Sequence, residues 1–172
     1  LIIGSESTLT SEYRFLDANN PEGEFKIVQP RERGLEYSVD HFGNDFYIRT
    51  NLDALNFRLM KTPVTATEKE NWSEVIPHRS DVFFDNFEIL KDYLVLTERI
   101  EGINQLRVIP WNGEEYFIAF DEEVYTVNPN VNLDFDTDVF RFSYTSMTTP
   151  NSIYDYNLKT KERTLLKQDE VL

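Results

Sequence analysis

His41 and His78 are the only imidazoles in the chain, so a Ser–His relay would have to run through one of them. There is no cysteine, which removes thiolate nucleophiles, thiolate zinc sites and disulfides together. A nucleophilic serine is commonly presented on a Gly-x-Ser-x-Gly elbow, with a base and an oxyanion hole in reach. The nearest string is Gly4-Ser5-Glu6-Ser7; it lacks the second glycine and no helical pattern follows it. Each histidine falls at the edge of an expected strand or loop, where a polar side chain needs no special role.

The acidic residues give two further candidates. Asp134-Phe135-Asp136-Thr137-Asp138 alternates carboxylates as a calcium loop does, but the sixth and twelfth places hold Val139 and Thr145 instead of Gly and Glu. Asp121-Glu122-Glu123 reads as a solvated turn. Paired carboxylates for glycoside hydrolysis cannot be picked out of 31 acids by sequence. The expectation is therefore no catalytic residue, no cofactor and no metal within this chain.

The elements that would carry any site are strands, and they repeat. Apolar runs open successive units at Leu1-Ile2-Ile3, Phe46-Tyr47-Ile48, Tyr93-Leu94-Val95-Leu96 and Val139-Phe140-Arg141-Phe142, with steps of 45, 47 and 47 residues from Leu1 through Phe46 and Tyr93 to Phe140. Second runs follow at Tyr13-Arg14-Phe15-Leu16, Phe57-Arg58-Leu59-Met60, Leu106-Arg107-Val108-Ile109 and Ile153-Tyr154-Asp155-Tyr156. Third runs close each unit at Phe25-Lys26-Ile27-Val28, Ser73-Glu74-Val75-Ile76, Tyr116-Phe117-Ile118-Ala119 and Arg163-Thr164-Leu165-Leu166.

Between units lie Glu36-Tyr37-Ser38-Val39-Asp40-His41, Val82-Phe83-Phe84-Asp85-Asn86-Phe87 and Glu123-Val124-Tyr125-Thr126-Val127, each a candidate fourth strand. Short strands at a period of 40 to 50 residues mark β-propeller blades. The fold expected is all-β: a partial propeller of about three and a half to four blades of antiparallel four-stranded sheets. The blade-like units run roughly 1–35, 36–83, 84–123 and 124–172. With 172 residues, beginning inside an apolar run and without an initiator Met, the chain reads as a piece of a longer protein.

Turn chemistry supports the strands. Asn19-Asn20-Pro21-Glu22-Gly23 is a turn, Asn112-Gly113 is the strongest hairpin signal, and Lys159-Thr160-Lys161-Glu162 is a polar hairpin. Residues 63–71 form the longest connection; they could hold a helical turn and should be the most mobile.

A formal net charge of −14, from 17 basic and 31 acidic residues, argues against nucleic acid and against an anionic membrane surface as partners. It suits basic partners, and an acidic cytoplasmic protein is its ordinary meaning. No apolar run approaches a membrane span and no signal peptide is visible. Asn71-Trp72-Ser73 fits a glycosylation acceptor, a pattern that often arises by chance.

Several ordered blocks resemble the prolyl oligopeptidase family, in its oligopeptidase B branch. They are Tyr37-Ser38-Val39-Asp40-His41 to Phe46-Tyr47-Ile48-Arg49-Thr50-Asn51, Asn56-Phe57-Arg58-Leu59 and Val75-Ile76-Pro77-His78-Arg79. Further along come Phe140-Arg141-Phe142-Ser143-Tyr144-Thr145-Ser146-Met147-Thr148-Thr149-Pro150 and Tyr154-Asp155-Tyr156, and the end from Glu162 to Val171 is similar to the family's exit from propeller to catalytic domain.

The resemblance implies the later part of a seven-bladed propeller capping an α/β-hydrolase domain of the same polypeptide. That domain would carry the Ser, Asp and His triad beyond Leu172 and cleave short peptides after Arg or Lys. It implies Thr148, Thr149 and Pro150 as a contact with the catalytic domain, and a propeller that gates and size-filters substrates. Acidic side chains lining its tunnel would draw in basic peptides. The alternative is a propeller interaction scaffold without catalysis; a propeller glycosidase or lyase is a third reading. The isolated segment is expected to self-associate through its unpartnered ends.

Overall fold

In the computed structural model, residues 1–170 are described; Val171, the last residue of the terminal block quoted above, lies outside them. The chain divides into two compact units, Leu1–Ser80 and a second from Asp81 onward.

The first unit holds two sheets. β1 (Ile2–Ser7), β2 (Thr10–Phe15) and β3 (Lys26–Ile27) form a three-stranded sheet in that order. β4 (Tyr37–Phe42), β5 (Asp45–Thr50), β6 (Arg58–Pro63) and β7 (Ser73–Ile76) form a four-stranded one. The second unit repeats the plan with β8 (Val82–Ile89), β9 (Tyr93–Ile100), β10 (Ile103–Pro110) and β11 (Tyr116–Phe117), then β12 (Tyr125–Pro129), β13 (Val139–Ser146), β14 (Ser152–Asn157) and β15 (Arg163–Gln168). Every pairing is antiparallel between consecutive strands. The residues between units in the sequence, 36–41, 82–87 and 123–127, supply the first strand of each four-stranded sheet.

Period-2 alternation explains how the sheets pack. On β13, Phe140, Phe142 and Tyr144 are buried while Arg141 and Ser143 are only half-buried. The buried set joins Tyr93, Val95, Leu106, Val108, Val127 and Tyr156 in the core of the second unit. In the first unit, Tyr37, Phe46, Ile48, Met60 and Trp72 play that part, with Tyr13 and Phe15 packed against them. β9 is buried from Tyr93 through Glu98 without alternation, as a strand covered on both faces must be.

Two hairpins depend on glycine. Between β9 and β10 the chain reverses through Glu101 and Gly102, both at positive φ (52° and 87°), the signature of a type I′ turn. Between β4 and β5 it reverses through Gly43, at φ 62°, and Asn44. The Asn112-Gly113 hairpin is present but wider, because residues 111–115 join β10 to β11 and Gly113 is not at positive φ.

The 63–71 connection holds a 3₁₀ turn at Lys69–Asn71, and it is firmly tied. The Trp72 indole N–H donates to the Thr67 carbonyl at 2.8 Å, the Lys69 N–H to Gln29 Oε1 at 2.9 Å and the Thr62 hydroxyl to the Ala66 carbonyl at 2.5 Å. Lys69 also pairs with Glu32. Such anchoring runs against the mobility expected from its length.

Candidate functional site

The serine and histidine candidates stand apart in the first unit. Ser5 is on β1, where its hydroxyl accepts from Arg31 at 3.1 Å, and the Ser7 hydroxyl pairs with that of Thr10 at 2.7 Å. His41, on β4, packs edge-on to Phe46 at 5.6 Å, and His78 follows β7. Gly4-Ser5-Glu6-Ser7 is thus extended strand, and its serine hydroxyls bond to Arg31 and Thr10 rather than to a histidine. In the glycosylation-like triplet, Trp72 is buried against Tyr37.

The alternating acids before β13 disperse onto different partners. Asp136 pairs with the Lys91 ammonium at 2.8 Å, and Asp138 accepts from the Tyr93 hydroxyl at 3.0 Å. Among the described residues, no three His, Asp or Glu side chains gather as a metal would require.

Thr148, Thr149 and Pro150 lie together in the turn joining β13 to β14. This turn is over-determined by hydrogen bonds. The Ser146 N–H donates to the Thr149 carbonyl at 3.0 Å, which also accepts from the Thr145 hydroxyl at 3.1 Å. Ser146 Oγ in turn accepts from the amides of Thr148 (3.2 Å) and Thr149 (2.9 Å). On the far side, the Ser152 hydroxyl donates to the Pro150 carbonyl at 2.7 Å. Met147 stands at the tip, 91% exposed.

Glu122, read in the sequence only as part of a solvated turn, has a role that sequence reasoning missed. It sits in the connection between the β8–β11 and β12–β15 sheets, and its Oε1 accepts from Ser146 Oγ at 2.6 Å, Thr149 Oγ1 at 2.9 Å and Tyr144 Oη at 3.4 Å. Hydrogen bonds from Ser146, then Thr149, Thr148 and Tyr144, hold its carboxyl below the usual glutamate value against a smaller opposing effect of burial. A carboxylate made more acidic in this way is a poor proton acceptor at neutral pH and a good fixed anchor.

The neighbouring residues seat the same connection. The Phe120 ring stacks on Tyr144 at 5.0 Å and 12° and lies 4.6 Å from Tyr125. Arg163 of β15 reaches over Phe120 at 5.5 Å and pairs with Asp121 at 3.5 Å. The stretch read as a solvated turn is exposed at Asp121 and Glu123, and it also clamps the connection to the sheet through Glu122 and Asp121. It presents a surface and shows no nucleophile–base pair.

The architecture so defined is a set of consecutive antiparallel sheets of blade type, one of three strands and three of four, with a well-anchored turn between β13 and β14. Residues 1–169 match the family described as prolyl oligopeptidase, N-terminal beta-propeller domain, and the chain belongs to that family. It is 41% identical over 172 residues to dipeptidyl aminopeptidase BI of Pseudoxanthomonas mexicana, covering 99% of this chain and 24% of that protein. Protease 2 of Moraxella lacunata is 30% identical over 168 residues, with 97% and 24% covered.

Among solved structures, oligopeptidase B from Leishmania major superposes with a TM-score of 0.88 at 29% identity, over 98% of this chain and 25% of that one. The closed form of oligopeptidase B from Trypanosoma brucei with covalently bound antipain gives 0.86 at 28%, over 98% and 26%. The chain spans about a quarter of the length of these relatives. The fold expected from the repeat, an all-β partial propeller, is therefore correct, the first sheet having three described strands where the others have four. Among the described residues, no helix is long and apolar enough to cross a membrane.

Proposed function

We propose that this chain is the gating and size-filtering part of a cytoplasmic serine oligopeptidase that hydrolyses short peptides after Arg or Lys. The blades are units of roughly 1–35, 36–83, 84–123 and 124–172, and the triad belongs to an α/β-hydrolase domain elsewhere in the same polypeptide. The observation that carries this reading is the similarity over nearly the whole chain to oligopeptidase B structures, at TM-scores of 0.88 and 0.86.

Two features support the finer points. One relative is described as a closed form, which favours a gate that opens and shuts between the domains. The charge of −14 favours basic peptides, because acidic walls of low dielectric focus the field on incoming cations. In this reading Thr148, Thr149 and Pro150 face the catalytic domain. No catalytic, metal or cofactor role is assigned to any residue of the chain itself.

The test uses the full-length polypeptide. It should hydrolyse short reporter peptides ending in Arg or Lys, lose that activity to a serine-reactive inhibitor, and leave a folded protein of the same composition intact. Association of the basic reporters should slow as salt rises, while neutral analogues change little. Failure to cleave after Arg or Lys would end the substrate assignment, and a flat salt response would end the charge argument. A polypeptide with no hydrolase activity at all would favour the interaction-scaffold reading.

A further inference from the structure

We propose that Glu122 is the positioning residue of the 146–150 turn, and that this turn is a preformed contact for the catalytic domain, with Met147 as its apolar tip. The inference rests on the oligopeptidase reading above, which supplies the occupant of the surface.

The argument begins with the direction of the protons. Ser146 and Thr149 each have one hydroxyl hydrogen, and both can be given to the same oxygen, Glu122 Oε1, at 2.6 and 2.9 Å. With its hydrogen so placed, Ser146 Oγ turns its lone pairs to the Thr148 and Thr149 amides at 3.2 and 2.9 Å. One carboxylate oxygen thus fixes a side chain that in turn fixes two backbone amides. Hydrogen bonds linked in this way reinforce one another.

The carboxylate itself is held from behind. Phe120 stacks on Tyr144, and Arg163 ties Asp121 to β15. Asn151 and Ser152 are likewise bonded to the end of the last strand, through Asp169 N–H to the Asn151 carbonyl at 2.9 Å and Gln168 Nε2 to Ser152 Oγ at 3.0 Å.

A single exposed Met needs no explanation on most surfaces. Here the backbone beneath it is fixed from both flanks while the side chain, 91% exposed, has three rotatable bonds and a polarisable sulfur. A flexible apolar tip on a rigid base suits an apolar depression on a partner whose position must be reproducible. The partner is the rest of the same polypeptide, because the chain covers only 24% of dipeptidyl aminopeptidase BI and 24% of protease 2. A second copy of the chain is the competing occupant.

The test uses the intact peptidase with Met147→Ala, Glu122→Gln, the double variant and wild type. Each is assayed on a short Arg reporter and on a longer flexible peptide with one Arg site. Met147 is exposed, so its truncation should leave the melting temperature unchanged and isolates contact from folding. The ratio of kcat/KM values on the two substrates is expected to shift by about threefold to tenfold in Met147→Ala. Glu122→Gln should shift it the same way, and the double variant should add little to the larger single effect, since both act through one turn. In hydrogen exchange, Glu122→Gln should speed the Thr148 and Thr149 amides in the otherwise folded enzyme.

Active wild type with an unchanged ratio in Met147→Ala would overturn the inference and leave the oligopeptidase reading standing. So would a ratio that changes only with protein concentration, which would assign the turn to a second copy. Inactive wild type would remove both readings, because no catalytic domain would then be there to touch.

Discussion

Tyr93 shows what a buried phenol contributes when its partner is a carboxylate. It is packed in the core of the second unit, and its hydroxyl donates to Asp138 at 3.0 Å. Burial first, then the hydrogen bond and charge of Asp138, push its pKa from 10.0 up to about 12. The folded-state value is raised, so the neutral phenol's contribution to stability is complete below pH 10 and is lost as pH climbs towards about 12. Asp138→Asn removes the charge and leaves the burial. NMR titration of ring-labelled tyrosine should then place Tyr93 below its wild-type value and still above 10. An unchanged Tyr93 titration would show that Asp138 has no hold on it. The residue scale is also where sequence reading failed. The Asp134–Asp138 run departs from a calcium loop in the sequence itself, but nothing there shows that Asp138 meets Tyr93, 45 residues away. The donors to Glu122 lie 22 to 27 residues downstream. No local pattern could announce either arrangement.

At the scale of elements the outcome reverses, because strand periodicity is a local property. The runs at Phe46, Tyr93 and Phe140 became β5, β9 and β13, each flanked by the partners that spacing assigned. Turns were harder. Asn112-Gly113 has the composition of a tight hairpin, but Pro110 ends β10 and the Trp111 N–H donates to the Asp92 carbonyl at 3.1 Å, which draws the chain aside and widens the loop. Glu101-Gly102, not singled out in the sequence, makes the tighter turn. Gly102 is therefore the residue to change. A Cβ built there meets nothing within 4 Å, so the cost of Gly102→Ala is conformational, from φ 87°, with no clash to add. An L-residue so placed should cost about 1–2 kcal/mol. Urea unfolding should show a lower midpoint with an unchanged m value, since the eight-residue register from Ile103↔Ile100 to Pro110↔Tyr93 is retained. A loss of slope as well would mean that the hairpin had slipped.

For the molecule as a whole, the deciding quantity is what its edges do when the chain is made alone. β1 ends the first sheet and β15 the last, and both strands are exposed along all six residues. Ile3 at 53% and Leu165 at 48% exposure add apolar surface to them. Six-residue edges with apolar side chains and unpaired backbone groups are templates for another strand. Against pairing stands the charge of −14, which makes two copies repel. Repulsion between exposed charges acts over a Debye length of about 10 Å at 0.1 M salt and about 3 Å at 1 M, whereas strand pairing is short-ranged and little affected. The two terms thus separate with ionic strength. In light scattering coupled to size exclusion, the isolated 172-residue chain should gain mass as concentration rises, and the shift should be larger at 1 M than at 0.1 M salt. Lysine placed at Leu165, in mid-edge on β15, should reduce the association by restoring a charge that the strand lacks there. A monomer at every salt and concentration would mean that these edges are already protected within the chain, and that the exposed strands need no further cover in the intact protein.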